Sequence, residues 1–252
     1  MKDLVQNINH QFFTFVLQYD TSNDNIIRKI IHSTTVADMC FTIACRLNLH
    51  EKNRNLAYLC GILHDTGRFE QWKRYQTYND KVSVDHGDLS YEMIQKFDLS
   101  MFTKSDQNAV RLAVKYHTKP YTGSDERVKL FRQIIMNADA YANVLNTANG
   151  SQRIIFNQDG YTPALLDDFM NLKLLVQHTA HTKLDRALML TANLYYVRYD
   201  FLKEQILQNN FFNAITQNFL PYLNTADQQV YLDAVKTVRA RYLDPSYINN
   251  LN

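Results

Sequence analysis

The residues of this chain that could do chemistry are histidines and aspartates: the adjacent pair His64-Asp65, with His32, His86, His117 and Asp139 spread on either side of it. Imidazole nitrogen and carboxylate oxygen are ligands for divalent cations. Six of them are too many for one tetrahedral ion but suit two ions about 3.5–4 Å apart. A His-Asp pair alone has a plainer reading, an aspartate cap bonded to backbone beside a core histidine. Position argues for more. Leu56, Leu59, Cys60 and Leu63 recur at helical spacing, so the pair leaves the end of a buried helix that Thr66-Gly67 terminates. An ionised Asp65 at such a place destabilises the fold unless a cation or several hydrogen-bond donors meet it.

The elements that must position these groups are helices. His32 shares a stripe with Val36, Met39 and Ile43 on a long helix from Ile26 to Leu47. A core histidine bonded through one nitrogen is the alternative there. Asp85-His86 opens a helix whose inward stripe is His86, Leu89, Met93 and Phe97, although a first-turn histidine can also sit solvated at a rim. Val110, Ala113, Val114 and His117 share the face of a helix stopped by Thr118-Lys119-Pro120. The helix from Glu126 to Asn146 carries Val128, Phe131, Ile135, Asp139 and Ala142 on one side. Burying Asp139 without a partner would raise its pKa or cost stability; a small rotation would instead place it at the surface. Between them, Phe69 to Val84 mixes Trp72 and Tyr75 with Lys73, Arg74, Asn79 and Asp80, and reads as a loop or short helices.

Beyond Gly150 the pattern predicts further helices from Leu165 to Val176, Leu184 to Gln208 and Thr225 to Tyr242, the last opening on the capping box Thr225-Ala226-Asp227-Gln228. His178 and His181 read as solvated residues ahead of a helix, since two ligands make no site. With 252 residues, 46% hydrophobic, and only 6 Gly and 4 Pro, the chain is expected to be all-α. It reads as one unit over 1–252, with a core at 26–146 and a helical extension at 160–244 packed on that core. A net charge of +2 with mixed signs and no basic run argues against a nucleic-acid polymer or a membrane as partner. Cys40, Cys45 and Cys60 lie among apolar helical positions, as buried thiols in a reducing compartment do. Polar residues interrupt Met1 to Asp20, which is therefore expected to be neither signal sequence nor membrane span, and the protein is expected in the cytoplasm.

In chain order, His32, His64-Asp65 and Asp139 resemble the signature of the HD superfamily of metal-dependent phosphohydrolases, and Leu63-His64-Asp65-Thr66-Gly67 is its typical local wording. The resemblance runs from about Ile26 to Val144 and implies a helical bundle. The intervening His86 and His117 resemble the two-metal branch, which includes HD-GYP phosphodiesterases and di-iron dinucleoside tetraphosphate hydrolases. By this resemblance His32, His64, Asp65 and Asp139 would hold one ion, Asp65, His86 and His117 the other, with Asp65 as bridge. Fe or Mn suits this nitrogen and oxygen set best, with Ni, Zn, Co and Mg as further candidates. Two ions would activate a shared water for in-line attack on phosphorus, with Asp65 at the catalytic centre and no protein nucleophile. Arg68 stands where many relatives carry Lys and could clamp a phosphate, with Lys119 a second contact; Lys73 and Arg74 are weaker candidates. The absence of a Gly-Tyr-Pro motif disfavours a cyclic di-GMP phosphodiesterase.

The expected activity is hydrolysis of a phosphate ester or anhydride, on a nucleotide or another small phosphorylated metabolite. Two other classes compete: a di-iron oxygenase on the same fold, told apart by dioxygen uptake, and a catalytically silent nucleotide-binding module, which would bind without converting.

Overall fold

The computed structural model describes residues 2–176 and 178–244. Among them every regular element is helical, and the backbone divides into two compact units, residues 1–142 and 143–252.

The first unit contains α1 (Lys2–Val16), α2 (Asp24–Arg46), α3 (Glu51–Leu63), α4 (Thr66–Tyr75), α5 (His86–Met93), α6 (Lys104–Lys115) and most of α7 (Glu126–Ala148). Its centre is α3. Every residue from Asn55 to Leu63 is buried, as expected of a helix enclosed on all sides, and α1, α2 and α6 pack against it. The α2–α3 contact is a close backbone approach. A Cβ on Gly61 would lie 2.6 Å from the Cα of Ala37, so only glycine lets the two axes come this near. Side-chain caps start the helices: Asn23 accepts from the Asn25 amide at α2, Asp85 from Asp88 at α5, and Thr103 from Asp106 at α6.

α4 and the 3-10 turn after it are the short helices that the mixed stretch Phe69 to Val84 predicts, but α3 ends at Leu63, and Thr66-Gly67, predicted to terminate it, instead opens α4. The reason is Gly67. Its missing side chain lets the first turn of α4 lie on the backbone of α5, where a Cβ would meet the His86 carbonyl at 2.7 Å and the Ser90 amide closer still. That amide-to-hydroxyl seam is fixed by the Gly67 N–H donating to Ser90 Oγ at 2.9 Å. The left-handed Gln76 then stops α4, and a short 3-10 turn over Asp80–Val82 leads to α5.

The second unit holds the end of α7 and α8 (Pro163–Met170), α9 (Lys183–Thr191), α10 (Asn193–Tyr196), α11 (Asp200–Gln208), α12 (Phe211–Phe219) and α13 (Thr225–Leu243). Phe169, Leu188, Ile206, Ile215, Phe219 and Tyr231 are buried in its core, where Tyr231 Oη and Thr191 Oγ1 lie 2.7 Å apart. Two buried aspartates fasten its turns. Asp185 accepts from the Thr162 amide and hydroxyl (2.7 and 2.9 Å), and Asp227 from the Gly160 amide (2.8 Å). The long helix expected from Leu184 to Gln208 is three helices, and the one expected to reach Val176 ends at Met170, just before the left-handed Leu172. The last helix is capped by Asn224, which accepts from the Asp227 amide. His181 is exposed, whereas His178 is half-buried against Asp168 at 2.8 Å.

No helix among the described residues is long and apolar enough to cross a membrane. Cys40 and Cys60 are wholly buried and Cys45 is half-buried, and burial pushes the Cys40 and Cys60 thiols well up.

Candidate metal centre

All six ligand-type residues read from the sequence lie in the first unit, at places where the helices force them inward. His32 is buried on α2, and His64-Asp65 forms the two-residue joint between α3 and α4. His86 is the first residue of α5, His117 follows α6, and Asp139 is in α7. Asp65 does not cap α4: its side chain makes no bond to that helix's amides and is only 4% exposed. The plainer reading of the His-Asp pair is thereby excluded.

Two groups result, and they share Asp65. His32, His64 and Asp65 offer ligand atoms that all lie within 4.8 Å of one another, and so do Asp65, His86 and His117. The two carboxylate oxygens divide between them. Oδ2 faces His64 Nε2 at 3.5 Å and His32 Nε2 at 3.8 Å, while Oδ1 faces His86 Nε2 at 3.6 Å. Asp139 is in neither group, but its Oδ1 meets the first through His32 Nε2, at 2.9 Å. With 31% of its side chain exposed, Asp139 marks an open side of the site, since Asp65 and His64 are sealed.

The imidazoles are oriented from behind. His64 Nδ1 lies 2.7 Å from the Gly61 carbonyl and His117 Nδ1 2.6 Å from the Val114 carbonyl. A carbonyl only accepts, so each Nδ1 carries the proton and each Nε2 presents a lone pair. His86 Nδ1 is held the same way by Asp80 Oδ2 at 2.5 Å. His64 Nε2 is buried and has no hydrogen-bond partner. Burial keeps His64 below its usual pKa. Burial and the Arg68 guanidinium bring His86 down to about 4, and burial with the neighbouring His64 brings His117 down to about 4. Near neutral pH these rings are therefore uncharged. Yet His86 Nε2 and His117 Nε2 face each other at 3.2 Å, and with both Nδ1 atoms protonated they meet lone pair to lone pair.

That geometry is what a cation resolves. Two nitrogens bound to one ion at about 2.0–2.1 Å, with an angle near 100°, are about 3.2 Å apart. The donors are nitrogen and oxygen without thiolate, so a divalent transition metal fits the residues present. Burial pushes the Asp65 carboxyl up, but Lys29, His64, His86 and Arg68 together outweigh it and hold it well below the usual carboxylate range. Asp139 is also opposed by burial and held low by the His32 hydrogen bond.

Several residues around the cluster were not read from the sequence. Lys29 Nζ lies 2.7 Å from Asp65 Oδ2. Its signal was present, because it precedes His32 by three and so shares its helix face. Asp80 had no periodic signal, being in an irregular turn. Buried Gln71 donates to Asp80 Oδ1 and Ser83 Oγ (2.9 and 2.8 Å) and accepts from Arg68 Nη1 (2.7 Å). Arg68 Nη1 also donates to Asp80 Oδ1 (2.7 Å) and the Tyr78 carbonyl (2.6 Å), while Nη2 lies 3.3 Å from His86 Nε2. Lys119 is paired with Asp88 (2.5 Å) and Asp85 (3.3 Å). Lys73 and Arg74 are exposed, Arg74 paired with Glu70.

Residues 30–144 match the family model described as HD domain, and this span takes in every ligand-type residue named above. No curated protein and no solved structure matches the chain. Residues 30–144 are an HD-domain region, and its two clusters of histidine and aspartate joined at Asp65 are consistent with a binuclear metal centre of the HD superfamily.

Proposed function

We propose that the protein is a metal-dependent phosphohydrolase that cleaves a phosphate ester or anhydride, on a nucleotide or another small phosphorylated metabolite. The observation that carries this reading is the approach of His86 Nε2 and His117 Nε2 to 3.2 Å beside Asp65 Oδ1, a site that asks for a second cation next to the first. His32, His64, Asp65 and Asp139 would hold one ion and Asp65, His86 and His117 the other. Bound there, two divalent ions supply positive charge for phosphoryl oxygens and a water of lowered pKa.

The chain's own residues do the rest. The Gly61 and Val114 carbonyls and the Asp80 carboxylate hold the protons on Nδ1 of three imidazoles, which keeps each Nε2 free to ligate. Arg68, whose Nη1 is fixed by Gln71 and Asp80, directs Nη2 toward the His86 side of Asp65, where it would meet a phosphoryl oxygen. Lys119 would serve only by leaving Asp88. The half-exposed Asp139 supports entry of the substrate from that side.

The test is metal analysis followed by an anaerobic phosphate-release screen on the Mn2+-loaded protein over nucleotides, dinucleoside polyphosphates and sugar phosphates. Asp65→Ala should abolish both metal retention and turnover. His86→Ala with His117→Ala should lose about half of the bound metal, one ion of two. A full metal complement in the double variant would reject the two-ion assignment, and no phosphate release in this screen, together with dioxygen uptake in air by the protein loaded with reduced iron, would reject hydrolysis.

A further inference from the structure

Lys29 occupies the place in the cluster where a cation belongs. Its Nζ lies 2.7 Å from Asp65 Oδ2, the same oxygen that His64 Nε2 and His32 Nε2 face at 3.5 and 3.8 Å. Lysine needs no such burial for its own sake. Its usual habit is to lay its stem on apolar surface and keep the ammonium in water, whereas here the side chain is only 19% exposed. An ion on Asp65 Oδ2 would set a second positive charge beside this part-buried ammonium, a repulsion that favours its leaving that oxygen. A second seat for the ammonium is already within cation–π reach, on a ring that Arg68 Cζ also approaches at 5.7 Å. Nζ is 5.3 Å from the centre of the Tyr78 ring, which is itself fixed by its hydroxyl donating to the Asn25 carbonyl (2.9 Å) and by Trp72 (5.1 Å between ring centres).

We propose that Lys29 is a stand-in cation: its ammonium holds the His32, His64 and Asp65 group together without metal, yields Asp65 Oδ2 to an arriving divalent ion, and then moves toward Tyr78 to bind an oxygen of the substrate's phosphoryl group. The phosphoryl part rests on the hydrolase reading above; the exchange at Asp65 does not. Two features of the site follow from it. A buried carboxylate avoids standing unpaired before the metal arrives. The anion seat forms only once the ion is in place, so that metal precedes substrate.

The experiment compares the full chain with Lys29→Met, which keeps the length and removes the charge, and Lys29→Arg, which keeps the charge. Melting is followed in EDTA and in saturating Mn2+, the Mn2+ dissociation constant is measured by calorimetric titration, and inorganic phosphate is titrated into the Mn2+-loaded proteins. Lys29→Met should melt lower than wild type in EDTA and together with it in Mn2+, and should bind its first Mn2+ about tenfold more tightly because no ion pair has to break. Phosphate binding should weaken about tenfold in Lys29→Met and persist in Lys29→Arg. Unchanged or weaker Mn2+ binding in Lys29→Met, equal stability in EDTA, or failure to fold even with Mn2+ would each overturn the exchange. Unchanged phosphate binding would overturn the second seat. Wild-type protein that takes up Mn2+ but neither binds nor releases phosphate would instead sink the hydrolase reading and leave the exchange to be judged on the metal titration alone.

Discussion

Single side chains in this site act through the proton they fix on a neighbour. Asp80 is the clearest case. Burial pushes its carboxyl up, but the His86 hydrogen bond, with Arg68 and Gln71, holds it far below the usual range, so it is a standing acceptor for His86 Nδ1–H. Asp80→Asn presents either an oxygen or an amide to that nitrogen, weakens the hold on the tautomer and gives up the Arg68 ion pair. Losses from such supporting residues run at about 10–100-fold in metal affinity or activity. The expectation is therefore a loss of that size for one of the two ions, with the other retained, read by metal titration; equal loss of both would place Asp80 elsewhere in the design. The candidate ligands themselves were legible because each one interrupts or ends an apolar stripe. Lys29 shares the helix face of His32, but its pairing was not legible, since a lysine on a helix reads as solvated unless its partner across the fold is known. Asp80 was hidden by an irregular turn.

At the level of helices, the first unit is tied together by a carboxylate unrelated to the site. Asp106, in the first turn of α6 and 1% exposed, pairs with Lys52 of α3 and with Arg127 of α7, each at 2.6 Å, and accepts from the Thr103 hydroxyl at 2.7 Å. Burial pushes its carboxyl up, but these hydrogen bonds outweigh burial and bring it down to about 2. A pKa lower in the folded than in the unfolded chain stabilises the fold above the unfolded value, near 4, and this contribution is lost as pH falls through 2. Because Lys52 is 59% exposed, the contribution is about 1–2 kcal/mol, less than the full shift would imply. Denaturant midpoints should thus separate wild type from Asp106→Asn at pH 6 and draw together between pH 4 and pH 2; a constant gap across that range would contradict the linkage. Helix boundaries were legible where a cap marked them, as at Asp85. They were not between α9 and α11, where Leu184, Leu188, Leu194 and Tyr195 continue an apolar pattern while the backbone becomes extended at Val197 without a glycine or proline to announce it.

For the molecule as a whole, helical class and ligand order could be read from scarce turn residues and the spacing of histidines, whereas the division near residue 142 falls inside one uninterrupted helix and leaves no mark in composition. All six ligands belong to the first unit, so metal should stabilise that unit by mass action: at a free ion concentration of about 100 times the dissociation constant, by about 2.7 kcal/mol. Calorimetric scans with Mn2+ and with excess EDTA should show the transition of residues 1–142 moving down on chelation. An unmoved transition would mean that the cluster binds no ion.

The three thiols give the folded protein a built-in experimental handle. Cys40 and Cys60 are shut away and hard to ionise, while Cys45 is half-open in the last turn of α2, the helix that also bears Lys29 and His32. A maleimide dye at neutral pH should therefore attach once, at Cys45, and report on that helix without any engineered cysteine.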